Sequence, residues 1–288
     1  MKTAKEAAVE RKTFRRKEKP SERNVPRAEK PDDWVETLQL EGRNAVLEAL
    51  NHQKPIDRIL LKKEADGSVS GTLNVIMAKA RENGVVAQAV DRAKLDAITQ
   101  SGNHQGVIAL CPAKEYVSVD DMLAIAEERG EPPFLLLLDG ITDPHNLGAI
   151  LRTAEAGGVH GVLIPKRRAV GLTGAVAKTS AGAIQHMAVA KIGNVANTLS
   201  QLKAKGFWVA CAHMEGTPLF AQSGLDMAGP IVLVIGAEGD GVSRLVQETC
   251  DFALRIPMKG HMGSLNASVA AGVLIYEVVR RRESVSVG

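Results

Sequence analysis

Four stretches of this 288-residue chain, 134–138, 161–165, 207–211 and 231–235, are apolar at every position. A strand with one wet face alternates apolar and polar residues. A strand without that alternation is buried on both faces, as in a parallel sheet covered by helices. Helical spacing fills the intervals near 147–156, 195–205 and 243–249, with a last helix from about 266 to 282. The second half is therefore expected to be an α/β fold with a mostly parallel sheet and helices on both sides. All four apolar runs are far shorter than the ~20 residues that cross a bilayer, and the charged N-terminus lacks the apolar region of a signal peptide. No membrane association and a cytoplasmic location are expected.

A smaller alternating unit precedes this one. Gly42-Arg43-Asn44-Ala45-Val46 opens a helical pattern, followed by a strand at 56–61, a helix at 73–82 and apolar runs at 85–90 and 107–111. A charged helical segment, 119–129, and the breaker Gly130-Glu131-Pro132-Pro133 separate the two units. The expected division is an N-terminal arm over 1–34, a small domain over 35–113, a linker over 114–132 and the large domain over 133–288.

Charge is distributed unevenly. The formal charge is only +3, yet residues 1–33 hold eleven basic and seven acidic side chains, which leaves twenty-five basic and twenty-six acidic in the remainder. Such an arm is too polar to bury the surface that would offset its ordering entropy, and it reads either as a solvated tail or as a phosphate-binding arm. With nine aromatic residues scattered along the chain, a face that stacks bases on Phe or Tyr is disfavoured. Cys111, Cys211 and Cys250 form no CxxC pair, so neither a metal site nor a disulfide framework is expected.

In a doubly wound sheet, ligands collect at the C-terminal ends of the strands, and three loops there stand out. The first runs from Asp139 to Ala154, with Asn146 as the expected cap of a helix that carries Arg152. The second is Ile235-Gly236-Ala237-Glu238-Gly239-Asp240-Gly241, in which a carboxylate stands between glycines with no evident packing role. It fits neither the dinucleotide fingerprint nor a P-loop. The third, Ile256-Pro257-Met258 to Ser264-Leu265-Asn266-Ala267-Ser268-Val269-Ala270, leads from a strand end into a helix of small residues. Ser264 and Asn266 can be read there as helix caps.

Together the three loops resemble the motifs of the SpoU (TrmH) branch of the SPOUT superfamily, S-adenosylmethionine-dependent RNA 2′-O-ribose methyltransferases. The likeness spans about 134–282. The first unit, with Gly42-Arg43-Asn44-Ala45-Val46 and His104-Gln105-Gly106-Val107, is similar to the ribosomal-protein-like substrate-binding domain of bacterial 23S rRNA guanosine 2′-O-methyltransferases. The resemblance implies a trefoil-knotted catalytic domain, a homodimer, and RNA, rRNA in particular, as partner. It makes Arg152, Asn146, Glu238, Ser264 and Asn266 the catalytic residues. It also assigns Gly236, Ala237, Ile256, Met258 and Leu265 to the cofactor S-adenosylmethionine.

Arg43, Asn44, Lys62 and Lys63 are candidates for RNA contact, with a solvated face as the plain alternative for the two lysines. No metal is implied. A tRNA ribose methyltransferase is the nearest rival, and a non-catalytic RNA-binding or ribosome-assembly protein of the same fold is the rival from another class.

Overall fold

The computed structural model describes residues 39–221 and 225–286, with side chains to 284, so the basic arm lies outside the described residues. The first unit is a four-stranded sheet ordered β1-β4-β2-β3, from β1 (Gln39–Glu41), β2 (Arg58–Lys62), β3 (Val86–Val90) and β4 (Val107–Leu110). β2 and β3 are parallel, whereas β4 runs antiparallel to β1 and β2. Helices α1 (Arg43–Asn51) and α2 (Thr72–Glu82) cover one face. There Val46, Leu50, Ile76 and Ala80 pack with Ile59, Leu61, Val107 and Ala109. The short α3 (Arg92–Ile98) places Leu95 on the other face, against Leu60 and Ile108.

The expected linker contains α4 (Val119–Arg129), closed at its start by a capping box between Ser118 and Asp121. It is a packed element instead of a free connector, because fully buried Met122 joins the core beside Leu135 and Leu163.

Six strands form the large sheet: β5 (Phe134–Asp139), β6 (Gly161–Pro165), β7 (Val189–Ile192), β8 (Trp208–Pro218), β9 (Ile231–Gly236) and β10 (Phe252–Arg255). Their order is β10-β8-β9-β5-β6-β7 and every pairing is parallel. Phe134, Leu136 and Leu138 of β5 face α5 (Pro144–Ala156) and α9 (Ala267–Ser286). Leu135 and Leu137 face α4 and α7 (Val195–Ala204). That two-sided burial is why these strands carry no polar alternation. The short α6 (Gly174–Thr179) and α8 (Arg244–Thr249) complete the layers. No described helix is long and apolar enough to cross a membrane.

A buried polar contact joins the two sheets. Lys191 of β7 reaches Asp57, at the entrance to β2, with Nζ 2.5 Å from Oδ1, and lies over the Tyr116 ring at 4.7 Å from its centroid. Asp57 is 7% exposed, and a Cβ on Gly171 would stand only 2.0 Å from its Oδ2, so the loop can pass there only as glycine. Burial, and then the Asp57 carboxylate, push the Tyr116 phenol well above its ordinary pKa.

Candidate active site

Strand order reverses direction at β5, whose neighbours are β6 on one side and β9 on the other, the switch point beyond which ligands of such sheets collect. The loop after β5 enters α5 differently from expectation. Asp143, not Asn146, is the cap: its carboxylate accepts from the His145 and Asn146 amides at 3.2 Å, and Pro144 occupies the first helical position. Asp followed by Pro is itself a helix-start signal, and it outranks Asn146. The Asn146 side chain is thereby released from capping.

It is buried and points to the loop after β9, where its Nδ2 donates to Glu238 Oε1 at 3.2 Å. Asn266, just before α9, donates its Nδ2 to Asn146 Oδ1 at 2.9 Å and also to Glu238 Oε1. The Ala267 amide gives Glu238 Oε1 a third donor at 3.3 Å. Asn266 caps α9 as well, since its Oδ1 accepts from the Ser268 amide at 3.0 Å and its hydroxyl at 2.6 Å. Three loops spread over 120 residues of sequence thus close on one carboxylate oxygen. Glu238 Oε2 makes no hydrogen bond among the described residues.

The loop bearing Glu238 is folded on itself. Ala237 and Gly241 exchange backbone hydrogen bonds at 3.1 and 3.0 Å, and the Ser243 amide donates to Asp139 Oδ2 at 2.8 Å. A Cβ at Gly236 would lie 2.1 Å from the Gly241 carbonyl carbon, so this closure requires glycine. Asp139 was not among the expected residues. Its partner lies 104 positions away, and no local pattern announces it.

The other expected residues divide. Gly236, Ala237, Ile256 and Met258 are half-buried, whereas Leu265 is 37% exposed. Between Met258 and Leu265 no backbone or side-chain group forms a hydrogen bond among the described residues. Unpaired backbone groups beside a half-buried apolar lining fit a ligand carrying an adenine ring, a carboxylate and an ammonium, because such a ligand can use both. Ser264 is exposed and unbonded in this segment. Arg152 does not join the cluster. It lies six residues beyond Asn146 on α5, about 9 Å along the axis and turned to another face. There it is exposed and has no ion pair among the described residues.

In the small domain, Gly42-Arg43 and His104-Gln105-Gly106 come together although sixty residues separate them. Arg43 Nε donates to the Gln105 carbonyl at 3.1 Å, and the Arg43 amide to Gln105 Oε1 at 3.3 Å. Buried His104 accepts the Gly106 amide on Nδ1 at 3.0 Å and faces Asp96 through Nε2 at 2.9 Å, so its ring proton sits on Nε2. These residues border a cavity of about 500 Å³ with Lys62, Glu64 and Arg92. Arg43 and Lys62 line it. Asn44 and Lys63 do not: Asn44 is exposed, and Lys63 pairs with Asp91 at 3.2 Å.

Both units match known families in the order in which they stand. Residues 39–117 match the model for RNA 2′-O ribose methyltransferase substrate binding, and residues 133–276 the SpoU rRNA methylase family. YacO of Bacillus subtilis, assigned to the TrmH family of tRNA/rRNA methyltransferases, is 47% identical over 244 residues, covering 85% of this chain and 96% of that protein. A TrmH-family relative from Staphylococcus saprophyticus is 45% identical, covering 86% and 97%. The AviRb SpoU methyltransferase of Streptomyces viridochromogenes, solved with AdoMet, shares the fold with a TM-score of 0.53 at 23% identity, over 85% of this chain and 90% of that one. With the three-loop cluster in place and relatives matched along nearly their full length, this chain belongs to the SpoU rRNA methylase family of S-adenosylmethionine-dependent RNA methyltransferases.

Proposed function

We propose that this protein methylates a ribose 2′-hydroxyl of RNA, with a guanosine of 23S rRNA as its target, and that it works as a homodimer whose C-terminal segment forms the family's trefoil knot. The observation that carries the reading is the Asn146–Glu238–Asn266 cluster, formed by the loops after β5 and β9 and the residue that opens α9. When bound, S-adenosylmethionine supplies a methyl group already activated on sulfur. The chain's task is alignment, a contribution worth roughly 7–11 kcal/mol in well-oriented reactions. Gly236, Ala237, Ile256, Met258 and Leu265 hold the cofactor, the first two through the closed loop and the last three through the segment beyond β10.

Within the cluster, Glu238 Oε1 is saturated and Oε2 is left to receive the hydrogen of the ribose hydroxyl. Ser264 offers the substrate a further polar contact. Arg152 is not a general base, because a guanidinium stays protonated at any working pH. It binds the phosphate next to the target ribose and favours the ionised hydroxyl electrostatically. An exposed Arg152 turned away from its own chain's cluster is suited to a cleft completed by a second copy. On α9, which packs beside α5, exposed Val269 and Tyr276 flank half-buried Val273 at helical spacing, the stripe such a copy would cover. Arg43 and Lys62 hold RNA at the small-domain cavity.

An rRNA target is favoured by the substrate-binding domain over 39–117 and by the description of the matched family. A tRNA target is the second reading, because the relatives are assigned to tRNA/rRNA methyltransferases. The intact cluster argues against a purely RNA-binding role. Mapping 2′-O-methyl marks in rRNA and tRNA of cells with and without the gene tests all of this. One guanosine of 23S rRNA is expected to lose its mark, and complementation by Arg152→Lys or Glu238→Gln is expected to restore it poorly. A mark lost from tRNA instead selects the second reading, and no lost mark overturns both.

A further inference from the structure

Between the two units lies a cavity of about 450 Å³, bordered by Lys54, Asp57, Glu82, Gly84, Lys166 and Lys191 among others. One of its cations is spoken for, since Lys191 is paired with Asp57. Burial, and then the neighbouring cations Arg58 and Lys166, draw the Lys191 ammonium below its ordinary pKa against the pull of Asp57. Lys54 and Lys166 are exposed and have no ion pair among the described residues. The Lys166 ammonium extends across the junction, 3.8 Å from where a Cβ of Gly84 would stand.

Lys166 opens the run Lys166-Arg167-Arg168, all exposed and none ion-paired among the described residues. Elsewhere on the large domain cations commonly have partners, as in Lys203–Asp251, Lys205–Asp120, Arg244–Glu248 and Arg281–Glu277. The chain turns at Arg168 with φ of 57°, a left-handed conformation that a non-glycine residue adopts at a cost of about 1 kcal/mol or more. Three adjacent like charges, one of them in a strained turn, gain no ion pair from the fold among the described residues.

Their position gives them a use. The loop is tied to the catalytic edge by the Val170 amide, which donates to the Ile141 carbonyl at 2.9 Å, just ahead of the turn carrying Asp143 and Asn146. It is tied to the end of the small domain by the Ala113 amide, which donates to the Leu172 carbonyl at 2.6 Å. The unpaired cations therefore stand on a loop tied both to the end of the small domain and to the turn ahead of Asn146. Sparse aromatics and a near-neutral body leave charge as the means of holding an RNA strand.

We propose that Lys166, Arg167 and Arg168, with Lys54 across the junction, bind the sugar-phosphate backbone of the RNA substrate between the small-domain cavity and the methylation site. This rests on the function proposed above, and the cations act as positioning residues that touch phosphates without touching the reacting atoms.

The test uses the full-length protein with an unmethylated 23S rRNA transcript and bulk tRNA, measuring affinity across a salt series together with methyl transfer. The triple variant Lys166→Ala, Arg167→Ala, Arg168→Ala is expected to lower the slope of log affinity against log salt by about 2, to weaken binding roughly tenfold, and to raise KM more than it lowers kcat. S-adenosylmethionine binding, read by calorimetry, should be unchanged. Arg168→Gly keeps the left-handed turn without the charge, and is expected to hold or raise Tm while weakening RNA binding. Arg129→Ala, at the opposite end of the sheet, is expected to leave the slope alone. A wild-type protein that binds and methylates RNA beside a triple variant with the same slope and KM overturns this inference and leaves the function standing. A wild-type protein that binds neither RNA overturns both.

Discussion

The two sheets prepare their edge loops in opposite ways. In the small domain, the loop from Thr99 to Gly106 is tied down throughout. Glu41 accepts from the Thr99 hydroxyl at 2.8 Å, from the Gln100 amide at 2.6 Å and from both the amide and hydroxyl of Ser101. His104, Gln105 and Gly106 are fixed by the contacts described above. In the large domain, the stretch from Met258 to Leu265 touches nothing by hydrogen bonding among the described residues. A surface built before its partner arrives loses little entropy on binding, whereas a segment left unbonded is ordered by the ligand it receives. The first arrangement suits recognition of an RNA shape, the second a cofactor that must enter and leave.

The largest expected difference is in amide exchange. Saturating S-adenosylmethionine, at about 100 times its Kd, should slow exchange across 258–265 by up to roughly 100-fold and leave 99–106 unchanged. Equal slowing in both loops would erase the contrast.

The next effect is the pH dependence that Glu41 gives the small domain. Burial raises the Glu41 pKa, but the hydrogen bonds from Ser101, Gln100 and Thr99 outweigh it and bring the carboxyl down to about 2. A depressed folded-state pKa contributes stability that is present above the ordinary value of 4.5 and is lost as pH falls towards 2. Thermal melts should therefore show Tm falling across that window in the wild type and falling less in Glu41→Gln. Parallel curves would remove Glu41 as the loop's anchor.

The smallest effect belongs to Lys63→Ala, which breaks an exposed pair with Asp91. It is expected to change stability by less than about 1 kcal/mol and RNA affinity less than Arg43→Ala does, as read by melts and filter binding. A larger loss of RNA affinity than that of Arg43→Ala would return Lys63 to the binding face.

Sequence carried the large sheet because burial on both faces writes itself into every position of β5 and β9, and Glu238 stood out because glycines isolate it. Asn146 was placed in the right loop with the wrong task, since a cap was assigned by residue type while Asp143-Pro144 three positions earlier filled it. Glu41, Asp139 and the Lys166–Arg168 turn were not legible at all. A carboxylate that anchors a loop sixty or a hundred positions away leaves no periodic trace, and a basic run reads as an ordinary solvated face until the fold shows which loops flank it.

The buried Lys191–Asp57 contact has a consequence for how a target would be chosen. Removing either partner leaves the other charge unpaired at a largely buried position, which costs about 3–5 kcal/mol, so the contact helps hold the small and large sheets together there. Under the function proposed above, such a tie would make the protein a caliper: an RNA would qualify by offering a graspable fold and a reachable ribose at the span between the two units. Two folds of unrelated sequence with that span would be equivalent to it, and a matching sequence folded to another span would be invisible.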